Sequence, residues 1–195
     1  MLDHAFLDVI AAVRATLERS LLERRLAEDS LTMDLLLGDL AWETTYALPG
    51  EGEAPHITAE ITLGWSTWSQ TAFRNQVTGL EDEEPPAVDV EVVLAVRDLA
   101  HRPDPSRVAE AVGTGPAMGD DPFGEAAPVV EEHAGRFAVT VERVGSVFLE
   151  EDALKTADDL QAVFEPLGPW LASALVRLAD LGFEFLPPED DDEGG

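Results

Sequence analysis

Three segments of this chain alternate apolar and polar residues with a period of two, and this alternation constrains the fold more than any other feature. The segments span residues 40–48, 57–66 and 88–97. Successive side chains of a strand point to opposite faces, so each segment predicts a strand with one buried face. Turn-forming residues at 49–55 and 81–86 separate the segments, which predicts an antiparallel meander. In the third segment the apolar face is Val88, Val90, Val92, Leu94 and Val96, and the polar face is Asp89, Glu91 and Arg97.

A further region of alternation follows a segment rich in glycine and proline. Residues 113–128 contain four glycines and three prolines, which predicts a long loop. Beyond this loop, Val129 and Val130 precede the turn formers His133-Ala134-Gly135, and residues 137–148 alternate again. We therefore expect one or two additional strands after the meander.

Helical patterns flank the predicted strands. Residues 3–28 repeat apolar side chains at spacings of three and four, which predicts an amphipathic helix. Asp104-Pro105 is a favourable start for a short helix, and a last helix is expected from Thr156, interrupted at Pro166–Pro169. Ser30 is a candidate cap for another helical turn that would reach Leu37.

These patterns together predict an α+β fold, in which an antiparallel sheet of four to five strands is covered by long N- and C-terminal helices. The chain has 195 residues, of which 45% are hydrophobic, and this is enough for one sizeable core. We expect a single domain over residues 1–186 and a disordered acidic tail over residues 187–195.

Net charge limits the classes of partner that the chain can bind. Forty acidic residues against twelve basic ones give a formal charge of −28 at pH 7. Only five of the acidic residues lie in the run Glu189–Glu193, so the body of the chain is acidic as well. Nucleic-acid phosphates and anionic lipid surfaces would repel such a protein, whereas a cationic protein or peptide would be attracted. The sequence leaves the oligomeric state open.

Compartment and cofactors are constrained by what the sequence lacks. There is no cysteine, which excludes disulfides and thiolate metal ligands and fits a reducing compartment. The first residues have no basic and apolar pattern of a secretory signal, and no run of about 18 apolar residues occurs. We expect a cytoplasmic protein with no membrane association and no cofactor.

Catalytic motifs are weak throughout the sequence. Asp89 and Glu91 share one face of a predicted strand with Asp98 nearby, a pattern that two-metal enzymes also use. The solvated face of an amphipathic strand explains the same residues more simply, and the one lysine, Lys155, is distant in sequence. The four histidines are isolated, and neither GxSxG nor GxGxxG occurs. The sequence therefore predicts a protein that is not an enzyme.

Candidate partner-binding residues are an aromatic pair and three acidic clusters. We expect Trp65 and Trp68 to lie on one strand, where a spacing of three places them on opposite faces. Trp65 would then face the core and Trp68 the outside, beside Phe73. The candidate contacts are Trp68, Phe73, Glu81, Asp82, Glu83, Glu84, Asp120 and Asp121, together with the C-terminal acidic run.

The element order over residues 3–182 resembles that of small acidic secretion chaperones and YbjN-like peptide-binding domains. This resemblance lies in the fold and involves no residue motif. The acidic surface, the lack of catalytic motifs and the candidate surface around Trp68 favour a non-enzymatic adaptor or chaperone-like module that binds a protein or peptide. The alternatives are a DNA mimic that inhibits a nucleic-acid-binding protein, a phage or assembly component, and, as the weakest, an enzyme with a divalent metal.

Overall fold

A computed structural model describes residues 2–21, 30–34, 37–47, 55–80, 84–118, 121–125, 127–149 and 157–187. Within these ranges the chain forms helices packed against an antiparallel sheet, which confirms the predicted α+β class. The elements in chain order are α1 (Leu2–Leu21), β1 (Ser30–Met33), β2 (Leu40–Ala47), β3 (Ile57–Trp65), α2 (Thr67–Val77), β4 (Ala87–Leu99), α3 (Pro105–Val112), β5 (Ala117–Met118), β6 (Asp121–Pro122), β7 (Gly124–Glu125), β8 (Val129–His133), β9 (Arg136–Phe148), α4 (Ala157–Phe164) and α5 (Leu167–Ala179).

The main sheet has seven strands in the described part of the chain, more than the four to five predicted. Its order is β1-β2-β3-β4-β9, and the short strands β7 and β8 both pair with the far edge of β9. The predicted meander corresponds to β2, β3 and β4, which are consecutive antiparallel neighbours. The additional strands β1 and β7 are four and two residues long, too short for their sequence periodicity to reveal them.

One face of the sheet forms the hydrophobic core with the helices. The inward residues of β4, from Val88 to Val96, are at most 1% exposed. Helix α1 reaches this face through Phe6, whose ring stacks on Trp65 at a centroid distance of 5.6 Å. Helix α5 packs against α1 so closely that Gly168 has no room for a side chain beside Thr16. Burial of the apolar faces of strands and helices against one another stabilises this layered arrangement.

Two predicted elements are wrong, and both lie next to β2 and β3. The expected helical turn at Ser30 is strand β1, because pairing of Ser30–Met33 with the edge of β2 satisfies its backbone hydrogen bonds. Trp68 lies not on a strand but in the first turn of α2. Strand β3 ends at Trp65, and the Ser66 side chain accepts a hydrogen bond from the Ser69 backbone N–H, which caps the helix.

The remaining helices and turns agree with the sequence analysis where the structure describes them. Asp104 caps α3, and Pro105 is its first residue. The helical conformation is interrupted between α4 and α5 at Glu165-Pro166, at the start of the predicted interruption. The predicted loop 113–128 contains the short strands β5, β6 and β7. Residues 22–28 of the predicted first helix and residues 188–195 of the predicted tail lie outside the described ranges.

The C-terminal segment returns to the sheet after α5. Phe185 forms a bridge with Leu99, and the backbone N–H of Leu186 donates to the carbonyl oxygen of Asp98 at 2.7 Å. The Phe185 ring stacks on His56 at 4.3 Å. These contacts anchor the chain beside the end of β4 that is opposite to Trp68.

None of the helices in the described ranges is long and apolar enough to cross a membrane.

Candidate protein-interaction surface

The outer face of the sheet carries a group of carboxylates that no other element in the described part of the chain covers. Its members project from four neighbouring strands, because each strand alternates buried and outward residues. All of them are exposed except Glu91, which is half-buried. We call this group the acidic face; it consists of Glu43, Glu60, Asp89, Glu91 and Glu142.

Strand register places four of these carboxylates in a zigzag line across the sheet. Glu60 and Glu142 both pair with Val93, from its two sides, while Glu43 and Glu91 both pair with Thr62. Each consecutive pair along the line 43, 60, 91 and 142 is therefore a diagonal neighbour on adjacent strands. Diagonal neighbours are separated by about 7–8 Å. The acidic face thus presents negative charge in a regular row.

The electrostatic cost of this row appears at Glu91. Burial raises the pKa of the Glu91 carboxyl above its ordinary value, and the neighbouring carboxylates Glu142 and Glu60 raise it further. Both causes disfavour the ionised form, since burial removes water from the charge and like charges repel. A cation placed on this face would offset the repulsion between the carboxylates, so the face is electrostatically complementary to a positively charged ligand.

A groove of about 420 Å³ opens at one end of the acidic face. Trp68 from the first turn of α2 and Phe148 from the end of β9 line it, and Asp89 joins the groove to the acidic face. Register explains the geometry: Phe148 pairs with Ala87, and Ser146 pairs with Asp89, so these side chains share the outer face. We call this the aromatic groove; it is lined by Ser66, Trp68, Ser69, Glu84, Pro85, Ala87, Asp89, Ser146 and Phe148.

Three hydrogen bonds of the Ser69 hydroxyl hold the wall of the aromatic groove in place. The Ser69 hydroxyl donates to the carbonyl oxygen of Ala87 at 2.5 Å and accepts from the Ala87 N–H at 2.7 Å. The same hydroxyl accepts from the indole N–H of Trp65 at 3.1 Å. One side chain therefore ties α2 to the start of β4 and to the core. Fixed walls lower the conformational entropy that the protein must lose when a ligand binds.

The structure separates the candidate contacts that the sequence suggested. Trp68 is 53% exposed and Glu84 is exposed, and both line the aromatic groove. Phe73 is buried and meets Trp65 edge-on at 5.7 Å, so it belongs to the core and does not lie on the surface beside Trp68. This burial corrects the expected position of Phe73, because α2 turns that side chain inward.

The remaining acidic candidates are only partly described. Glu81, Asp82, Glu83 and Asp120 lie outside the described residues, and for Asp121 the structure describes only the backbone, in β6. Their part in binding stays a prediction.

The three residues considered for a metal do not form one site. Asp89 accepts a hydrogen bond from the Ser146 hydroxyl at 2.7 Å. Asp98 lies at the other end of β4, where it pairs with Arg136 at 3.0 Å and with His56 at 3.5 Å. Across the described ranges, no group of three or more histidine, aspartate or glutamate side chains is arranged to hold a metal ion.

The sequence patterns alone do not identify four of the residues that form the surface: Phe148, Glu43, Glu60 and Glu142. Each occupies an outward position of a strand, and alternation by itself predicts only the face on which such a residue lies. The available signal was the recurrence of glutamate at outward positions in several strands. Only the strand register shows that these positions are neighbours.

Comparison with known proteins adds no relative: no protein-family model, curated protein or solved structure matches this chain.

Proposed function

We propose that this protein is a non-enzymatic adaptor or chaperone-like module that binds a cationic protein or peptide on its acidic face. The observation that carries the proposal is the row of carboxylates on an open sheet face. In that row the pKa of Glu91 is raised by burial and by its carboxylate neighbours. A lysine or arginine side chain on the face would offset the repulsion within the row.

Surface charge of this kind supports fast and selective association. Carboxylates gathered on one face attract a cationic partner over a distance of about one Debye length, roughly 8–10 Å at moderate ionic strength. Complementary charges increase the association rate and exclude anionic competitors more than they add affinity. Binding by this protein should therefore weaken as salt is added, chiefly through a slower association rate.

A test must separate the acidic face from net charge, because any cationic peptide is attracted to a protein of charge −28. The test variant is Glu60→Gln, Glu91→Gln and Glu142→Gln, which removes three carboxylates of the row. The matched control is Asp8→Asn, Glu110→Gln and Asp180→Asn, which removes three exposed carboxylates from the helical side of the molecule. Both variants have the same net charge.

Calorimetric titration with a lysine-rich peptide compares the two variants. We expect the acidic-face variant to bind about tenfold more weakly than the control, a difference of about 1.4 kcal/mol. Equal affinities of the two variants would show that net charge alone attracts the peptide and would contradict the proposal.

The regular spacing of the carboxylates favours a second function, that of a DNA mimic. The strand positions that carry successive charges along the zigzag line are about 7–8 Å apart, which is of the same order as the separation of successive phosphates along a nucleic-acid strand. A protein that binds phosphates through arginine and lysine could accept such a row in their place.

Competition with DNA distinguishes the two functions. A partner recovered from native cells together with this protein would be released by excess short duplex DNA if the acidic face occupies the partner's DNA site. An adaptor's cationic partner would be released by duplex DNA no more readily than by polyglutamate of equal charge at matched ionic strength, because both polyanions attract it through charge alone. A phage or assembly component remains an untested alternative that no described feature favours.

A further inference from the structure

We propose that the aromatic groove anchors an arginine side chain of the partner, held between Trp68 and Phe148 with its guanidinium group at Asp89. This inference rests on the proposed function, because it assigns the chemistry of one contact within the same surface. It concerns Trp68, Phe148 and Asp89, whereas the general proposal depends on the glutamates of the row.

The distribution of aromatic side chains identifies the groove as exceptional. The sequence contains eight phenylalanines, four tryptophans and one tyrosine, and all thirteen lie in described ranges. Only two of these side chains are exposed: Trp68 at 53% and Phe148 at 41%. Both line the same groove. Exposed aromatic side chains gathered at one place are typical of protein-interaction sites, in which they become buried on binding.

The sequence forces both aromatic side chains outward, so their exposure is a stable property of the fold. Phe148 occupies an outward position of β9, while its neighbour Val147 is 3% exposed on the inner face. Trp68 lies in the first turn of α2, where the buried side of the helix is formed by Ser69, Gln70 and Phe73. Turning Trp68 inward would require α2 to rotate and to break the Ser69 hydrogen bonds to Ala87.

Charge determines the kind of ligand that fits. The groove is lined by two carboxylates, Asp89 and Glu84, and none of its lining residues is basic. One Asp89 oxygen already accepts the Ser146 hydroxyl, which fixes the orientation of the carboxylate. A cationic group between the rings can therefore make a charge-assisted hydrogen bond to Asp89 and a cation–π contact with the indole of Trp68.

Arginine suits this combination better than lysine. Its guanidinium group is planar, stacks on aromatic faces and donates to a carboxylate in a bidentate geometry. A lysine ammonium group is a compact and strongly hydrated charge that stacks poorly. The groove volume of about 420 Å³ is also within the range of about 300–1,000 Å³ that is usual for ligand sites.

The groove and the acidic face form one continuous track along β4. Asp89 and Glu91 are two residues apart on the same face, and Glu91 is the half-buried member of the zigzag line. A partner whose arginine enters the groove can therefore place its following basic residues on the line. The anchor would fix the register of the partner, and the line would supply the salt-dependent attraction.

The experiment uses the full chain and two blocked peptides that consist of glycine and lysine and differ only at a central position, which is arginine in one and lysine in the other. Titration calorimetry gives both affinities for the wild-type protein. We expect about two- to fivefold tighter binding of the arginine peptide, the range set by a cation–π contact near a surface. Trp68→Ala and Phe148→Ala should each abolish this preference and leave the affinity for the lysine peptide nearly unchanged.

Controls separate loss of the anchor from loss of the fold. Leu7→Ala truncates a comparably exposed apolar side chain on α1 and should keep the full preference for arginine. Trp68→Phe and Phe148→Leu preserve bulk at both positions and serve as the test pair if an alanine variant unfolds. Trp68→Phe should keep part of the preference, because phenylalanine also binds cations, though more weakly than tryptophan.

The outcomes distinguish this inference from the proposed function. Equal binding of both peptides to the wild-type protein, or an unchanged arginine preference in the Trp68 and Phe148 variants, would overturn the anchor. The proposed function would survive that result as long as removal of Glu60, Glu91 and Glu142 weakens both peptides. Binding of neither peptide would overturn both proposals.

Discussion

Trp65 and Trp68 are three residues apart, yet one lies in the hydrophobic core and the other on the surface of this protein. Trp65 ends β3, is 1% exposed, and contacts Phe6 and Phe73 in the core. Trp68 is 53% exposed and lines the aromatic groove. The same contrast runs through the whole sheet, whose inner face is hydrophobic and whose outer face carries the acidic row. Residues close together in the chain therefore differ in role, since one packs in the core and the other lies on the surface that we propose binds a partner.

Truncation of each tryptophan in turn tests this difference most directly. Trp65→Ala removes a large core side chain and the donor to Ser69, so we expect it to lower the free energy of unfolding by about 3–5 kcal/mol. Trp68→Ala should change that free energy by no more than about 0.5 kcal/mol. Urea denaturation monitored by circular dichroism measures both. Similar losses in the two variants would mean that Trp68 is also part of the core.

Two glycines, Gly168 in the helical layer and Gly64 on the outer face of the sheet, show the same difference in how tightly the backbone is packed. A methyl group at Gly168 would overlap the carbonyl oxygen of Thr16 and approach the Ser20 hydroxyl oxygen to 2.7 Å, which would force α5 away from α1. We expect Gly168→Ala to destabilise the protein by about 1–3 kcal/mol. At Gly64, on the outer face, the added carbon would lie 3.9 Å from the Asp89 Cβ, an ordinary contact.

Gly64→Ala should therefore be neutral or stabilise the strand by about 0.5–1 kcal/mol. Thermal melting of both variants gives the sign of each effect. A tolerated alanine at Gly168 would show that α1 and α5 are not in close contact.

A smaller effect is expected from a polar residue on the hydrophobic face. Thr44 of β2 is 2% exposed, and its hydroxyl has no hydrogen-bond partner among the residues that the structure describes. Thr44→Val keeps the shape and removes the buried polar group, so we expect a gain of about 1 kcal/mol. Thr62→Val, on the half-buried outer face, is the control and should change stability by less than about 0.5 kcal/mol. A loss of stability in Thr44→Val would reveal a partner for the hydroxyl.

The smallest expected effect is the pH dependence of stability that Glu91 causes on the outer face. The pKa of Glu91 is raised by burial and by Glu142 and Glu60, so ionisation of Glu91 destabilises the folded protein relative to the unfolded chain. Below pH 4.5, the ordinary pKa of glutamate, Glu91 is protonated in both the folded and the unfolded state, so this destabilisation is absent. It develops as the pH rises from 4.5 through the raised pKa of Glu91 in the folded state. Glu91→Gln should thus stabilise at neutral pH, by about 0.5 kcal/mol or less, and have no effect in acid.

The neighbours of Glu91 provide a direct check of the same cause. Glu142→Gln should lower the pKa of Glu91, measured by NMR titration of its side-chain carboxyl, because one repelling charge is removed. Glu43→Gln is the matched control, since Glu43 is not among the causes of the shift. An unchanged Glu91 pKa in the Glu142 variant would mean that the two carboxylates are not close enough to interact.

The predictable part of the fold was the part encoded by local periodicity. Strands β2, β3 and β4 and the start of α3 could be predicted because alternation and helix caps are properties of a few adjacent residues. The helix α2 was missed because Trp65 and Trp68 fit an extended strand as well as a strand followed by a helix. The Ser66 cap that decides between them is a weak signal in sequence.

The candidate surface could be predicted only in part, for a different reason. The sequence indicated Trp68, Glu84 and the outward position of Asp89, since each follows from composition or alternation near one segment. It could not indicate Phe148, which is 80 residues from Trp68 in the chain and meets the same groove only through the pairing of β9 with β4. Distant residues become neighbours through strand register, and register depends on the whole sheet.

The sequence by itself determined that this chain builds an antiparallel sheet with helices, that one face of the sheet is apolar, and that the protein carries a large negative charge. Each of these properties follows from local patterns and from a sum over residues. Only the tertiary structure decided which carboxylates are neighbours. The pairing of β2, β3, β4 and β9 aligns four glutamates in a row and places Phe148 beside Ala87, where it lines the aromatic groove with Trp68, because contacts between strands join residues that the chain keeps far apart.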